Sequence, residues 1–244
     1  MLLTVLGCYG PYPRQGGACS GYLLENGGTR VLLECGAGVF ARLIEYVRPE
    51  ALDAVVLSHL HYDHCSDLFV TRYALDQQPV LPGGTKRAVP LYAPGEPEEV
   101  FRSLTRSPLL EGRPVSVGQT VKIGSLTFRF FPAAHPVRTL GMRITDDGGK
   151  TLYYTGDTGP LEGLAEAARG ADALLADVCF VGDGPGNAAP HLTARQAGAL
   201  AKAAGVKALY CTHLWGKFDT AETIKKEVDF SGAFVVKERG QYRI

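Results

Sequence analysis

Ser58-His59-Leu60-His61-Tyr62-Asp63-His64, followed by Cys65, Ser66 and Asp67, is the stretch on which the reading of this chain turns. Before it runs Asp53-Ala54-Val55-Val56-Leu57, a short apolar segment with the composition of a buried strand, so the histidines emerge where that strand ends. Four potential metal ligands stand between positions 59 and 64, and three of the chain's six histidines are among them. Imidazole and carboxylate suit zinc, manganese and iron, and a strand-to-loop edge holds ligands in place better than a flexible loop does. The bland alternative is a polar turn with scattered histidines, and the scarcity of histidine elsewhere weighs against it. His59 and His61 are two apart in extended chain, so their side chains leave on the same side and can grip one cation. Asp63 and His64 come one turn later, where Asp63 opens the helix signalled by Leu68, Phe69, Thr71, Arg72 and Leu75, and they face a second cation. Two neighbouring cations need a bridging anion, so an aspartate from elsewhere in the chain is expected.

At 244 residues the chain can bury a large core, as one domain or as two small ones. No Pro/Ser-rich or charge-run linker divides it, which favours a single domain over residues 1–244. Lys+Arg and Asp+Glu are equal at 25 each. The zero formal charge gives no global attraction to nucleic acid or to an anionic membrane, although a local basic patch stays open. The cysteines at 8, 19, 35, 65, 179 and 211 form no C-x-x-C pair. No secretory signal pattern opens the chain and no apolar run approaches the roughly 20 residues of a membrane span, so a cytoplasmic protein with reduced thiols is expected.

In chain order, a strand at Leu2 to Leu6 leads to a glycine-rich bend, and strands at Ser20 to Glu25 and Arg30 to Glu34 flank the hairpin signal Asn26-Gly27-Gly28. A helix through Phe40 to Val47 precedes the metal motif. After it come a Pro-Gly-rich stretch at 79–85, a strand at Val89 to Ala93 and a helix opened by Glu96-Pro97-Glu98-Glu99. Antiparallel strands are expected at Thr120 to Ile123, Leu126 to Phe131, Thr139 to Thr145 and Thr151 to Thr155, the last two joined by Asp146-Asp147-Gly148-Gly149. Alternation along Tyr153-Tyr154 places one of the two tyrosines in the core. A helix from Pro160, a strand at Ala173 to Ala176, a glycine-rich loop at 182–186, a helix opened by Thr193 with Gln196 in a capping box, and a strand at Val206 to Cys211 complete the alternation. His135 and Asp157 each follow a strand, and taken alone such a residue is more often a cap or a surface residue than a ligand. His213 stands at the mouth of a buried strand, as His59 does.

The ordered set of an acidic residue after an early strand, H-x-H-x-D-H, a lone His, a lone Asp and a final His resembles the signature of the metallo-β-lactamase superfamily of binuclear metallohydrolases. Here Glu34, then His59, His61, Asp63 and His64, then His135, Asp157 and His213 fill those positions. The resemblance implies that His59, His61 and His135 bind one divalent metal, that Asp63, His64 and His213 bind the other, and that Asp157 bridges them. Glu34 stands where the family usually has Asp. The implied fold is α/β, a four-layer α/β/β/α sandwich with the site at the edge between two pseudo-equivalent halves.

Two such cations activate water and stabilise charge at the attacked centre, and Asp63 is placed to orient that water or accept its proton. Hydrolysis with zinc fits a histidine-rich ligand set, with manganese or iron as further occupants. Related di-iron flavoproteins usually carry glutamate at the position of His61, which argues against a redox reading. Class B β-lactamases usually have a Cys ligand and lack the bridging Asp, and glyoxalase II-like thioesterases need more than the 31 residues that follow His213. The stretch Pro190-His191-Leu192-Thr193 resembles the His-Ser/Thr motif of the ribonuclease Z branch, with His191 beside the leaving group; an N-capping Thr193 with an incidental histidine is the other reading. Authentic ribonuclease Z carries an extended arm between the third His and the bridging Asp, where this chain has only the 21 residues 136–156. The expectation is therefore a phosphodiesterase for a small or short substrate, without specific tRNA binding or a membrane partner and with a homodimer left open. Lactone or other acyl hydrolysis, and metal binding without turnover, are the alternatives. Asp67 and Asp177 are candidate partners of ligand imidazoles, Cys8, Cys35 and Cys179 read as inert buried thiols, and Lys86-Arg87 and Lys225-Lys226 as solvated pairs.

Overall fold

The computed structural model describes residues 1–80, 87–185, 190–216 and 221–244. The first half runs β1 (Leu2–Gly7), β2 (Tyr9–Gly10), β3 (Gly21–Asn26), β4 (Thr29–Leu33), α1 (Val39–Leu43), β5 (Ala54–Val56), α2 (Tyr62–Cys65), α3 (Leu68–Gln77), β6 (Val89–Ala93), α4 (Glu98–Leu104) and β7 (Leu110–Pro114). The second runs β8 (Thr120–Ile123), β9 (Leu126–Pro132), β10 (Leu140–Asp146), β11 (Thr151–Tyr154), α5 (Leu164–Ala168), β12 (Ala173–Asp177), α6 (Ala194–Ala204), β13 (Ala208–Thr212), β14 (Leu214–Trp215), α7 (Ala221–Glu227), β15 (Ala233–Val235) and β16 (Gln241–Arg243). Among the described residues these strands form two mixed sheets, ordered β16-β1-β3-β4-β5-β6-β7 and β15-β13-β12-β11-β10-β9-β8, with a short β14-β2 pair at one edge.

Period-two alternation builds the layers. On β3, β4 and β5 the side chains of Tyr22, Leu24, Val31, Leu33, Ala54 and Val56 enter the core between the sheets, where they share a cluster with Phe128, Phe130, Met142 and Ile144. Their neighbours Leu23, Leu32 and Val55 point the other way, into a cluster with Leu43 of α1, Leu68 and Leu75 of α3 and Leu104 of α4. Strands covered on both faces read as continuous apolar runs, which is why Asp53 to Leu57 was legible as buried. On the far sheet Ala194, Ala197, Leu200 and Ala201 of α6 share a cluster with Leu174, while Leu175, paired with Tyr154, faces the core between the sheets. The result is the expected four-layer α/β/β/α arrangement. Truncating one of these buried leucines to Ala costs on the order of 2–5 kcal/mol. No helix among the described residues is long and apolar enough to cross a membrane.

The structure departs from expectation where tertiary contacts compete with local pattern. The helix expected to open at Asp63 is capped by His61 and ends at Cys65, and α3 starts afresh at Leu68. The His64 carbonyl accepts the Cys35 N–H at 2.7 Å, and the Asp67 N–H bonds to the Cys35 carbonyl at 3.0 Å. Backbone groups that a continuous helix would use are thus spent on the loop after β4. The helix expected to reach Val47 stops at Leu43, and the one expected from Pro160 begins at Leu164. Both Tyr153 and Tyr154 are buried, because β11 has packed layers on both faces. β2, β7 and β14 to β16 carried no clear signal: β7 is the edge strand Leu-Glu-Gly-Arg-Pro, and β16 exists only by pairing with β1 from the opposite end of the chain. Residues 81–86, which include most of the Pro-Gly-rich stretch and Lys86, lie outside the described residues, as does Gly186. Arg87 pairs with Asp53 at 2.7 Å and Lys225 with Glu222 at 2.6 Å. The capping box of α6 forms as expected, Thr193 Oγ1 accepting the Gln196 N–H and Gln196 Oε1 the Thr193 N–H.

Candidate metal centre

Loops that leave the C-terminal ends of β4, β5, β9, β11, β12 and β13 meet at one edge of the sandwich and bring the sequence-predicted side chains together. β9 and β11 both run antiparallel to β10, so His135 and Asp157 emerge on the same side. His61 Nδ1 lies 3.1 Å from His59 Nε2 and 3.0 Å from His135 Nε2. The outer nitrogens of two of them are engaged: His59 Nδ1 meets Ser58 Oγ at 2.9 Å, and His135 Nδ1–H donates to the Pro190 carbonyl at 3.0 Å. Three inner ring nitrogens therefore face one another, a lone-pair arrangement that one cation satisfies.

A second group adjoins the first. His213 Nε2 is 3.2 Å and His64 Nε2 3.5 Å from Asp63 Oδ2. Asp157 Oδ2 faces both groups, 3.2 Å from His213 Nε2, 3.3 Å from His64 Nε2, 3.7 Å from His59 Nε2 and 3.9 Å from His135 Nε2. Within each group one ligand atom per residue lies within 4.8 Å of the others. Asp157 Oδ1 and both ring nitrogens of His64 are buried with no hydrogen-bond partner among the described residues. An unsatisfied buried polar atom costs about 1–3 kcal/mol, so the donor set and its unpaired nitrogens fit divalent cations better than a purely hydrogen-bonded network.

Charge separates the two groups. Burial first, then neighbouring imidazoles, push His59 well below the ordinary histidine range against the pull of Asp157. His135 and His61 are lowered mainly by burial. For His64 and His213 burial acts the same way, but it is outweighed: Asp157, Asp63 and Glu34 raise His64, and Asp157 and Asp177 raise His213. Burial would raise Asp157, yet His213, His64 and His59 hold it well below the carboxylate range. Protons and cations compete for the same nitrogens, so binding here is linked to proton release.

Two further carboxylates hold the second group in place. Glu34 accepts the Ser58 N–H through Oε1 at 2.8 Å and sets Oε2 3.4 Å from His64 Nδ1. Asp177 accepts the Thr158 and Cys179 N–H groups at 3.1 and 3.2 Å, with Oδ1 3.4 Å from His213 Nδ1 and Oδ2 2.8 Å from His191 Nδ1. Asp177 thus takes the expected supporting role. Asp67 does not; its carboxylate accepts the Phe40 N–H at 2.9 Å and ties down the start of α1. Glu34 and His213 adopt left-handed backbone, φ 61° and 56°, an uncommon conformation for these residues that occurs at both ends of the cluster.

His191 belongs to the centre as well as preceding a cap. Its ring stacks on His213, centroids 5.0 Å apart at 20°, and Nδ1 is 3.8 Å from Asp157 Oδ2. Cys179 groups with His191 and His213, whereas Cys8 and Cys35 are core thiols, the former pushed by burial to about 12. Sequence reading missed Gly10 and Gly36. A Cβ on Gly10 would sit 2.0 Å from His213 Nε2, and one on Gly36 would sit 1.9 Å from the Asp63 carbonyl. The glycine-rich bends were visible; what they make room for was not.

The family model for the beta-lactamase superfamily domain matches residues 29–214, which contain both groups and their supporting carboxylates. The chain belongs to this superfamily. It is 35% identical over 242 residues to the probable metallo-hydrolase YhfI of Bacillus subtilis, covering 98% of each chain. The crystal structure of YhfI, a metallo-beta-lactamase fold protein, matches it with a TM-score of 0.90 at 34% identity, covering 99% of this chain and 98% of that one. A ribonuclease Z of Mycobacterium bovis is 32% identical over 238 residues, covering 86% of this chain and 85% of its own. These relatives place the chain in the ribonuclease Z-like branch of the superfamily.

Proposed function

We propose that this protein, acting as one domain over residues 1–244 in the cytoplasm, is a metal-dependent phosphodiesterase with two divalent cations, zinc in the first instance. The observation that carries the reading is Asp157 Oδ2, which faces the His59/His61/His135 group and the Asp63/His64/His213 group at 3.2–3.9 Å, with His191 pinned by Asp177 beside it. When bound, two such cations supply Lewis acidity at the phosphoryl oxygens and acidify the attacking water. Asp63, the only side chain of the second group that can accept a proton while ionised, orients that water and takes its proton. His191 Nδ1 is fixed 2.8 Å from Asp177 Oδ2, which turns Nε2 away from that carboxylate and towards the departing oxygen, in the position of a general acid.

The relatives named ribonuclease Z and metallo-hydrolase support hydrolysis, and the segment between His135 and Asp157 supports a short substrate. Residues 136–156 form only β10, β11 and a tight turn in which the Gly149 N–H bonds to the Asp146 carbonyl at 3.0 Å. That leaves no arm there with which to grip a tRNA.

Parallel turnover of a phosphodiester, a lactone and a thioester by protein of measured metal content tests the class. Phosphodiester rates about tenfold or more above the others, a barrier difference of roughly 1.4 kcal/mol, support the reading, and lactone-only turnover overturns it. His191→Ala should retain its metals and lose about 10²–10⁴-fold on an alkyl phosphodiester with a basic leaving group, but far less on a nitrophenyl ester that departs unprotonated. Equal losses on both substrates would make His191 a positioning residue.

A further inference from the structure

On the flank of the metal centre away from His191 lies a cavity of about 430 Å³. It forms where β6 and β7, the last strands of one sheet, meet β8 and β9, the last of the other: Glu96 follows β6, Val117 stands between β7 and β8, and His135, Pro136, Val137 and Arg138 follow β9. His191 and His213 reach the centre from the loops after β12 and β13, on the other side of β10 and β11. His135 joins the two regions, since its ring walls the cavity while its Nε2 faces His61. Arg138 and Glu96 are exposed, and neither takes part in an ion pair or a hydrogen bond among the described residues. The neighbouring arginines are occupied. Arg113 pairs with Glu111 at 3.0 Å and donates to Tyr92 Oη at 2.9 Å, Arg129 lies over the Phe131 ring at 5.3 Å, and Arg143 donates to the Ala167 and Arg169 carbonyls at 3.1 Å.

A cavity of this size holds a small organic group, and a wall of Val117, Pro136 and Val137 beside an unengaged guanidinium suits a group that is apolar along its length and anionic at its end. The planar fork of arginine matches the paired oxygens of a carboxylate or a phosphate. We infer that Arg138 anchors an anionic group, a carboxylate or a phosphate, on the substituent that the phosphodiester retains. The inference rests on the phosphodiesterase reading for its chemistry. In that reaction the water oxygen bonds to phosphorus, the P–O bond on the His191 side breaks, and the departing oxygen takes a proton from His191. The departing group therefore fills the β12 and β13 side, and the substituent that stays on phosphorus lies elsewhere. The cavity walled by His135 adjoins the centre on the free flank. Glu96 opposes excess negative charge in the same cavity, which favours a singly charged carboxylate over a phosphate dianion.

Metal-loaded full-length protein is titrated by calorimetry with three series of product analogues of roughly two to five carbon atoms, matched in length: alkyl phosphates, carboxyalkyl phosphates and alkane bisphosphates. At the length that spans from phosphorus to Arg138, the carboxyalkyl phosphate should bind about 5–20-fold more tightly than the alkyl phosphate, and the advantage should shrink at high salt. Arg138→Gln, at an exposed position that does not test folding, should abolish the advantage and leave the alkyl phosphate unaffected, and Arg138→Lys should restore part of it. Glu96→Gln should tighten the bisphosphate more than the carboxyalkyl phosphate. An Arg138-dependent gain in either anionic series supports the anchor, and the tighter series names its anion. Equal affinity of all three series at every length, or an advantage that survives Arg138→Gln, overturns the inference. Turnover of a phosphodiester against a lactone on the same preparation decides the phosphodiesterase reading separately, because these affinities are read without turnover.

Discussion

The two side-chain groups that share Asp157 use similar residue types and yet would hold a cation by different means. The outer nitrogens of His59 and His135 rest on neutral oxygens, Ser58 Oγ and the Pro190 carbonyl, and burial lowers all three imidazoles of that group. In the Asp63/His64/His213 group a ligand is itself a carboxylate, and Glu34 and Asp177 stand 3.4 Å behind the two imidazoles, which are raised. A carboxylate behind an imidazole fixes the ring and strengthens it as a donor. The difference teaches that near-equal ligand counts do not make equal sites. The proposed second cation is held by charge as well as lone pairs, whereas the first depends on neutral nitrogens nearer to solvent and should be stripped first by a chelator.

The largest expected effect comes from removing what the two groups share. Asp157→Ala takes away the carboxylate that, among the described residues, faces both, so metal content should fall below two per chain and turnover by roughly 10³-fold, as several kcal/mol of charge stabilisation disappears. Elemental analysis alongside turnover decides it, and two retained metals with full rate would remove Asp157 from the bridge.

Gly10→Ala breaks one side of the comparison. Its Cβ, 2.0 Å from His213 Nε2, forces that ring away while the His59/His61/His135 group stays intact. One metal should be lost rather than two, with activity down about 10²-fold or more. Unchanged stoichiometry would mean that the β2 loop yields instead of the imidazole.

Glu34→Gln and Ser58→Ala sharpen the contrast between charged and neutral support. The first should cut affinity for one metal about 10–100-fold, and the second should affect the other metal at the low end of that range or below it. Competition titration with a chromogenic chelator reads both, and a larger loss from Ser58→Ala would reverse the proposed asymmetry. Smallest of all, Asp67→Ala removes the acceptor for the Phe40 N–H and should cost about 1 kcal/mol of stability in denaturant unfolding with metal content unchanged. Loss of metal in that variant would return Asp67 to the site.

How much of the centre could be read in advance depended on whether the signal was local. Each ligand follows a strand whose apolar run or alternation is visible over three to seven residues, as Ala54–Val56 and Leu126–Pro132 show, so the order of ligands was legible. The α6 capping box was legible for the same reason, since it spans only Thr193 to Gln196. His191 stayed divided between a cap's neighbour and a site residue because local pattern cannot say where a loop points. It proves to be beside a genuine cap and inside the centre, and only the approach of β12 brings Asp177 to its Nδ1.

By itself the sequence determined the strand and helix vocabulary, the two-sided burial of the central strands, the family, and which side chains are able to bind metal. Those properties rest on hydrophobic periodicity and on chemically rare residues at short spacing, and both survive in one dimension. Tertiary structure alone decided that the motif helix breaks after Cys65, that Asp177 serves the centre and Asp67 a helix end, that Gly10 makes room for His213, and that β16 closes the first sheet beside β1. Each of these depends on distant backbone competing for the same hydrogen bonds or the same space, as when Cys35 takes the carbonyl of His64. Such competition is settled only when the two sheets pack.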